Sequence, residues 1–180
     1  MPATIDLTES AIFTGLRAFV LNVLPLPANQ VVKGEQNRVP MPVGPNFVVI
    51  TPSGRARLAT NVRTYTPSPD PAPADGQRQT QQQTRMDVQI DVYGPASAEN
   101  AQILTTMFRD PYGCDFLRPY ACQPLYTGDP RQLPLVTGEQ QYLARWMLGA
   151  TLQFNPTVST SQQFADIVDI TLVEADQNGE

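Results

Sequence analysis

The sequence predicts an α+β fold, a mostly antiparallel sheet of about five strands with two helices packed on one face. Three observations support this: two amphipathic helical segments, several segments with strand-like patterns, and no regular alternation of strands and helices that would indicate a doubly wound fold. The chain of 180 residues has the usual size of one domain, so we expect a single domain over residues 1–180.

Two segments have the three- and four-residue spacing of amphipathic helices. The first runs from about Glu9 to Leu24, and the pair Asp6 and Glu9 in front of it matches a capping box. The second runs from Ala98 to Asp110, after Gly94-Pro95 ends the preceding strand. Its predicted buried stripe consists of Ala101, Leu104, Met107 and Phe108.

Strands are predicted where apolar and polar residues alternate, or where β-branched residues form short runs. The clearest runs from Arg85 to Tyr93, and its polar face consists of Arg85, Asp87, Gln89 and Asp91. A long strand is predicted from Gln141 to Asn155, with Trp146 in the core. Shorter strands are predicted at Phe47–Ile50, Asn61–Thr66, Pro124–Thr127 and Ile167–Val173.

Two segments are predicted to lack fixed structure. Residues 67–83 are rich in proline and glutamine and contain no large apolar residue, so they cannot bury enough surface to offset the entropy of ordering. We expect a flexible arm or hairpin loop there, either a tolerated insertion or an arm that orders on a neighbouring subunit. The acidic tail over residues 174–180 is expected to fray.

The residue types needed for common catalytic chemistry are missing. The sequence has no histidine, which removes Ser-His and Cys-His pairs and histidine metal sites. Cys114 and Cys122 cannot complete a zinc site and are expected to be free thiols. Asp87 and Asp91 lie about 13 Å apart along an extended strand, beyond the roughly 5–9.5 Å of paired carboxylates in glycosidases. We therefore predict no catalytic, metal or cofactor site, and no enzymatic activity.

Charge and hydropathy also limit the partners. The formal net charge is -5 and Lys33 is the single lysine, so the chain has no dense basic surface for tight, non-specific binding of nucleic acid. The sequence has no long apolar run and no signal-peptide pattern at its start. We expect a soluble protein that is made in a cytoplasm and does not enter a membrane.

Arginine is the preferred cation of protein interfaces because its planar fork forms fixed, bidentate ion pairs. The candidate residues for a subunit interface are Arg85, Asp87, Asp91, Arg109, Arg131 and Arg145. Arg85 and Arg145 lie on predicted polar strand faces. They can either pair with Asp87 and Asp91 within one chain or reach across a subunit boundary.

Several stretches together resemble a known family. They are MPVGPNFVVIT at residues 41–51, TRMDVQIDVYGPASAENAQ at 84–102, DPRQLPLVTGEQQYLARW at 129–146, QFNP at 153–156 and FADIVDI at 164–170. As a string, and over roughly residues 31–174, they resemble the neck or tail-terminator-like proteins of tailed phages. These motifs contain no catalytic signature.

The resemblance implies a structural subunit of the virion, assembled in the host cytoplasm. Six copies would form a ring on the last layer of the tail tube, in contact with tail-tube protein, head-tail connector proteins and, in a contractile tail, sheath protein. Genomic DNA would pass through without specific binding; six copies at -5 give about -30, and an acidic lumen would not retain DNA. Alternative interpretations are a head-completion or connector protein, a tail-tube subunit, a phage hydrolase or a receptor-binding module.

Overall fold

The computed structural model describes residues 2–36, 40–67, 76–136 and 142–162. Its helices are α1 (Glu9–Val23), α2 (Ser97–Arg109) and α3 (Pro111–Leu117). Its strands are β1 (Thr4–Ile5), β2 (Val31–Lys33), β3 (Phe47–Arg57), β4 (Val62–Thr66), β5 (Gln77–Gln81), β6 (Thr84–Tyr93), β7 (Cys122–Thr127), β8 (Arg131–Gln132), β9 (Leu135–Val136), β10 (Tyr142–Leu143), β11 (Arg145–Phe154) and β12 (Thr157–Ser161).

These strands form three sheets. The largest has six strands in the order β2-β3-β6-β11-β7, with β8 also paired to β11. A four-stranded sheet has the order β1-β12-β5-β4, and β9 pairs with β10 in a two-stranded ribbon. All these pairs are antiparallel except β2 with β3. The α+β class and the mostly antiparallel pairing are confirmed, but the prediction of one sheet of about five strands with two helices is wrong.

The six-stranded sheet and the three helices form what we call the body. One face of the sheet packs on the helices, because alternate residues of β6 and β11 join the apolar stripes of α1 and α2 in one buried cluster. Largest among its fully buried side chains are Phe19, Ile12, Leu16, Ile50, Met86, Ile90, Leu104, Leu117, Leu148 and Leu152. The ring of Phe19 meets Phe108 and Phe116 edge-on, with centroids 5.3 and 5.7 Å away.

Helix α1 begins and ends almost as predicted, but its N-terminal cap differs. The side chain of Thr8 caps the helix by accepting from the backbone N–H of Ala11. Asp6 instead accepts from the backbone N–H of Thr157, 2.7 Å away, and so joins the β1 region to β12. The predicted capping box of Asp6 and Glu9 is therefore wrong, because a partner distant in sequence binds the carboxylate.

Strand β3 is longer than the predicted Phe47–Ile50. Pairing with β6 continues through Pro52, where the register shifts before Gly54. Proline can occupy a strand at such a bulge because the local ladder bond is already interrupted. The bulge lets β3 run on to Arg57, and this brings Arg55 to Glu9 at the start of α1.

The four-stranded sheet, which we call the extension, continues three central strands of the body. Strand β4 follows β3, β5 precedes β6, and β12 follows β11, in the same lateral order. No side chain in its four strands is buried, and β4 is exposed along its whole length. The prediction of a flexible loop over residues 67–83 is therefore wrong for Gln77–Gln81, because this segment forms β5 and pairs with β4 and β12. Residues 68–75 lie outside the described residues.

The C-terminal half contains the other differences. The predicted long strand is interrupted at Ala144, so β10 pairs with β9 and only β11 joins the body. Helix α3 was not predicted; Pro111 begins it and Asp110 caps it by accepting from the N–H of Tyr112. Strands β2, β8, β9 and β12 were not predicted either, and Met107 and Trp146 are partly rather than fully buried.

The predicted strand at Ile167–Val173 and the predicted frayed tail at residues 174–180 lie outside the described residues. Within the ranges that the structure describes, no helix is long and apolar enough to cross a membrane.

Candidate subunit interface

The face of the six-stranded sheet opposite the helices brings most of the predicted interface residues together. We call it the outer face. Residues of β6 and β11 that alternate with the core residues point to this side, and directly paired residues share a face. Five of the six candidates lie there: Arg85, Asp87, Asp91, Arg131 and Arg145.

Asp91 is the most buried charged group on the outer face. It is 4% exposed, and its carboxylate accepts from Arg145 at 3.0 Å and from the amide of Gln89 at 2.7 Å. The guanidinium of Arg145 also lies over the ring of Tyr93, 5.7 Å from the centroid. Asp91 therefore lies on the polar face that the strand pattern predicts, but it is buried there rather than solvated. Arg145 of the neighbouring strand pairs with its carboxylate.

Tyr93 closes this end of the outer face. Its ring stacks on Phe47 of β3 with centroids 4.5 Å apart and 13° between the planes. Burial raises the pKa of the Tyr93 hydroxyl, and the nearby carboxylate of Asp91 raises it further, although Arg145 acts in the opposite direction. The phenol therefore stays neutral, and its ring acts as packing surface for Phe47 and Arg145.

Asp87 forms a second polar cluster two residues from Gln89 along β6. Its carboxylate accepts from the guanidinium of Arg85 at 3.2 Å and from the hydroxyl of Thr151 on β11 at 2.9 Å. Both Asp87 and Asp91 thus have partners within the chain. Of the two interpretations of these charges, the intrachain pairs are the ones the structure shows.

Arg109 and Arg131 are the two remaining candidates for the interface. Arg109, the last residue of α2, donates to the carbonyl oxygen of Thr127 at 2.6 and 3.1 Å and to Asp129 at 2.8 Å. Its guanidinium lies 6.0 Å from the ring centroid of Tyr126, which is 64% exposed. Arg131 pairs with Met147 across the β8–β11 ladder and is exposed, with no ion pair to a described residue.

A depression interrupts the outer face around Gly149. No atom lies within 4 Å of the place where a Cβ on Gly149 would sit. The resulting cavity of about 310 Å³ has apolar and polar walls, lined among others by Ser53, Asp87, Gln89, Tyr126, Met147 and Thr151. Gly149, Met147 and Tyr126 were not predicted from the sequence, although a glycine inside a strand is a known sign of close approach by another backbone or a ligand.

No group of three or more potential metal ligands occurs in residues 2–36, 40–67, 76–136 and 142–162. Cys114 and Cys122 are free thiols, as predicted, and burial raises the pKa of the Cys122 thiol to about 11. That thiol stays protonated at neutral pH and is a poor nucleophile.

The acidic residues of the outer face are paired within the chain, and a largely apolar depression lies in the same face. The sequence matches the family model for the phage neck terminator protein over residues 10–176. The chain therefore belongs to this family and is a structural protein of the bacteriophage neck, a component of the virion. A comparison with curated proteins finds no match.

Proposed function

We propose that this chain is a tail-terminator subunit, and that six copies form a ring that closes the head-proximal end of the tail tube and joins it to the head connector. The observation that carries this proposal is the match to the neck terminator family, which spans most of the chain. The ring contacts tail-tube protein on one side and connector proteins on the other, with sheath protein as a further neighbour in a contractile tail. The proposed role includes no catalytic step.

The surfaces of the chain support assembly by head-to-tail contacts. Such contacts use two different surfaces of each subunit, and they close into a ring when the rotation between neighbouring subunits closes. The outer face offers one broad surface on the body, and β4, whose side chains are exposed, is the last strand of the extension within the described residues. The ends of sheets pair readily with other strands, so this end of the extension is suited to contact with a neighbour.

The distribution of charge bears on passage of DNA. Residues 163–180 contain five carboxylates and no basic residue, so they account for the whole formal net charge of -5. We propose that DNA passes the ring without specific binding, because an acidic lumen would repel the phosphate backbone. A lumen lined by arginine side chains would contradict this part of the proposal.

Cryo-electron microscopy of the virion neck tests the assigned place. We expect density for this chain as a six-fold ring between the tail tube and the connector. Density inside the head-side connector or repeated along the tube would instead support the connector or tube alternatives. The purified chain gives a second test. Sedimentation at increasing concentration should show a closed assembly of about six copies, without any larger polymer.

A further inference from the structure

We propose that four arginines, on and beside the extension, bind carboxylates of a neighbouring copy of the chain. We call this surface the arginine face; it consists of Arg55, Arg57, Arg63 and Arg78. The contact rests on the proposed ring and names one of the two surfaces that meet in it. None of these four arginines is among the interface residues that the sequence predicted.

The register of β3 places the first two arginines on the helix side of the body. Arg55 pairs with Met86 and Arg57 pairs with Thr84 in β6, and directly paired residues share a face. Met86 belongs to the buried cluster that the sheet and the helices share. On this side, the guanidinium of Arg55 lies over the ring of Phe154, 5.5 Å from the centroid.

The extension continues the same side with the other two arginines. Val158 lines a cavity together with the first two arginines, so its side chain points to the helix side. Across the extension, Val158 pairs with Thr80 and Thr80 pairs with Arg63. Arg78 is two residues from Thr80 and lies diagonally opposite Arg63, a spacing of about 7–8 Å. Positive charge is therefore concentrated on one side of the extension.

The carboxylates beside the arginine face already have partners. Strands β1, β4, β5 and β12 contain two arginines and no carboxylate. Glu9, at the start of α1, binds Arg55 and Lys33. Asp6, next to β1, accepts from the backbone N–H of Thr157. The chain thus balances one arginine of the face within its described residues.

The other three, Arg57, Arg63 and Arg78, form no ion pair with a described residue. The Nε of Arg78 is buried and has no hydrogen-bond partner in the described part of the chain. A buried donor without an acceptor is unfavourable, and a guanidinium binds a carboxylate through two parallel hydrogen bonds. A carboxylate from another molecule would satisfy this donor.

Apolar groups within the face favour a protein over DNA as its partner. The cavity between the body and the extension has Ile5, Val158 and Phe154 in its walls. The side chains of Ile5 and Val158 are 51% and 36% exposed. The backbone of DNA is contacted mainly through charged phosphates, whereas a protein surface offers carboxylates together with apolar side chains.

A second copy of the chain carries the complementary charge. Without the four arginines of the face, the sequence has 8 basic and 17 acidic residues, a formal charge of -9. A basic face on one copy therefore meets an acidic excess on the next, and complementary charge speeds encounter and fixes orientation. Contact between two different surfaces is also what head-to-tail assembly requires.

Carbodiimide coupling tests this contact directly, because it joins a lysine amine to a touching carboxylate and leaves arginine unchanged. Arg63→Lys and Arg78→Lys are made separately in the full-length chain, and isotope-labelled and unlabelled copies are mixed before coupling. We expect links from the new lysine to a carboxylate of the other copy, seen by mass spectrometry as mixed-isotope peptides. Lys33, 2.6 Å from Glu9, provides the reference for a link within one copy.

The same experiment can overturn the proposal. Links from the new lysines only to carboxylates of their own copy, such as Asp70 or Asp75, would mean that the arginine face is balanced within the chain. The absence of any link, in a sample where Lys33 couples to Glu9, would equally remove the contact.

Charge reversal tests whether the contact drives assembly. Arg63 lies on a fully exposed strand, so Arg63→Glu should keep the fold and the melting temperature. We expect the dissociation constant of the assembly to rise about tenfold or more. The matched control is Arg118→Glu, because Arg118 is 70% exposed, lies outside the face and undergoes the same change of charge. Equal weakening by both variants, or by neither, would overturn the proposal.

Double-stranded DNA is the rival ligand, and fluorescence anisotropy at about 0.15 M salt measures its binding. We expect no binding by the unmodified chain. DNA binding that Arg63→Glu abolishes, with assembly unchanged, would show that the face serves phosphates and would overturn the proposal.

These results separate the contact from the proposed function. Closed rings at the neck without links between copies, and with Arg63→Glu assembling normally, would leave the terminator role intact and remove this contact. Links between copies of a chain that is absent from the neck would support the contact and remove the terminator role.

Discussion

Three strands of the body are followed or preceded in the chain by strands of the extension, but the two regions are stabilised in different ways. In the body, helices cover one face of the sheet and a contiguous apolar cluster is fully buried. In the extension, the four strands bury no side chain and are joined mainly by backbone hydrogen bonds. Burial of apolar surface is the main favourable term in folding, so the body carries the stability of the chain. The extension belongs to the low-stability part from which binding elements are commonly drawn.

A matched pair of substitutions should show the largest difference. Ile90→Ala in β6 removes a side chain that is 0% exposed, and we expect it to lower the free energy of unfolding by about 2–5 kcal/mol. Ile5→Ala in β1 removes the same atoms from a side chain that is 51% exposed, and the loss should stay below about 1 kcal/mol. Urea denaturation of both variants measures this. Equal losses would mean that the extension is an integral part of the core.

Two aspartates provide a smaller contrast. Asp91→Asn in the body leaves Arg145 partly buried without its carboxylate, and we expect a loss of about 1–3 kcal/mol. Asp6→Asn in the extension retains an oxygen that can accept from the N–H of Thr157 in solvent, so its cost should be below about 0.5 kcal/mol. Thermal unfolding at neutral pH compares them, and a larger effect at Asp6 would contradict the difference between the two regions.

A further small effect is expected at Glu9, beside the cavity where the two regions adjoin. This cavity is lined by Ile5, Arg55 and Val158 among others. The hydrogen bond from Lys33 is the main cause that lowers the pKa of Glu9. Burial raises this pKa, but the charges of Lys33 and Arg55 and the hydrogen bond from Arg55 lower it further. A lowered pKa stabilises the folded chain above pH 4.5, and this stability is lost as the pH falls through the lowered pKa.

Because Glu9 is substantially exposed, its contribution should be below about 1 kcal/mol. Glu9→Gln should therefore lower stability slightly at pH 7 and leave it unchanged near pH 2. Denaturation curves at both pH values test this. A constant difference at both values would show that Glu9 acts through packing rather than through its charge.

The sequence by itself determined the elements whose patterns are local. The apolar spacing of α1 and the alternation in β6 are properties of consecutive residues, and both elements lie within a residue or so of their predicted ends. The composition also indicated correctly that Cys114 and Cys122 are free thiols. Stretches such as residues 41–51 and 84–102 further carry enough of the family's pattern to indicate the neck terminator family from the order of residues alone.

Only the tertiary structure decided the features that depend on distant partners. Strands β5 and β12 are polar and lack the apolar alternation that predicts a strand. Backbone hydrogen bonds to neighbouring strands stabilise them instead. Asp91 has the pattern of an exposed residue, but it is buried and accepts hydrogen bonds from Arg145 and Gln89. The depression at Gly149 requires the register of four adjacent strands, β3, β6, β11 and β7. A sequence pattern records which residues can share a face, but packing between elements decides which of those faces is covered and which is left exposed.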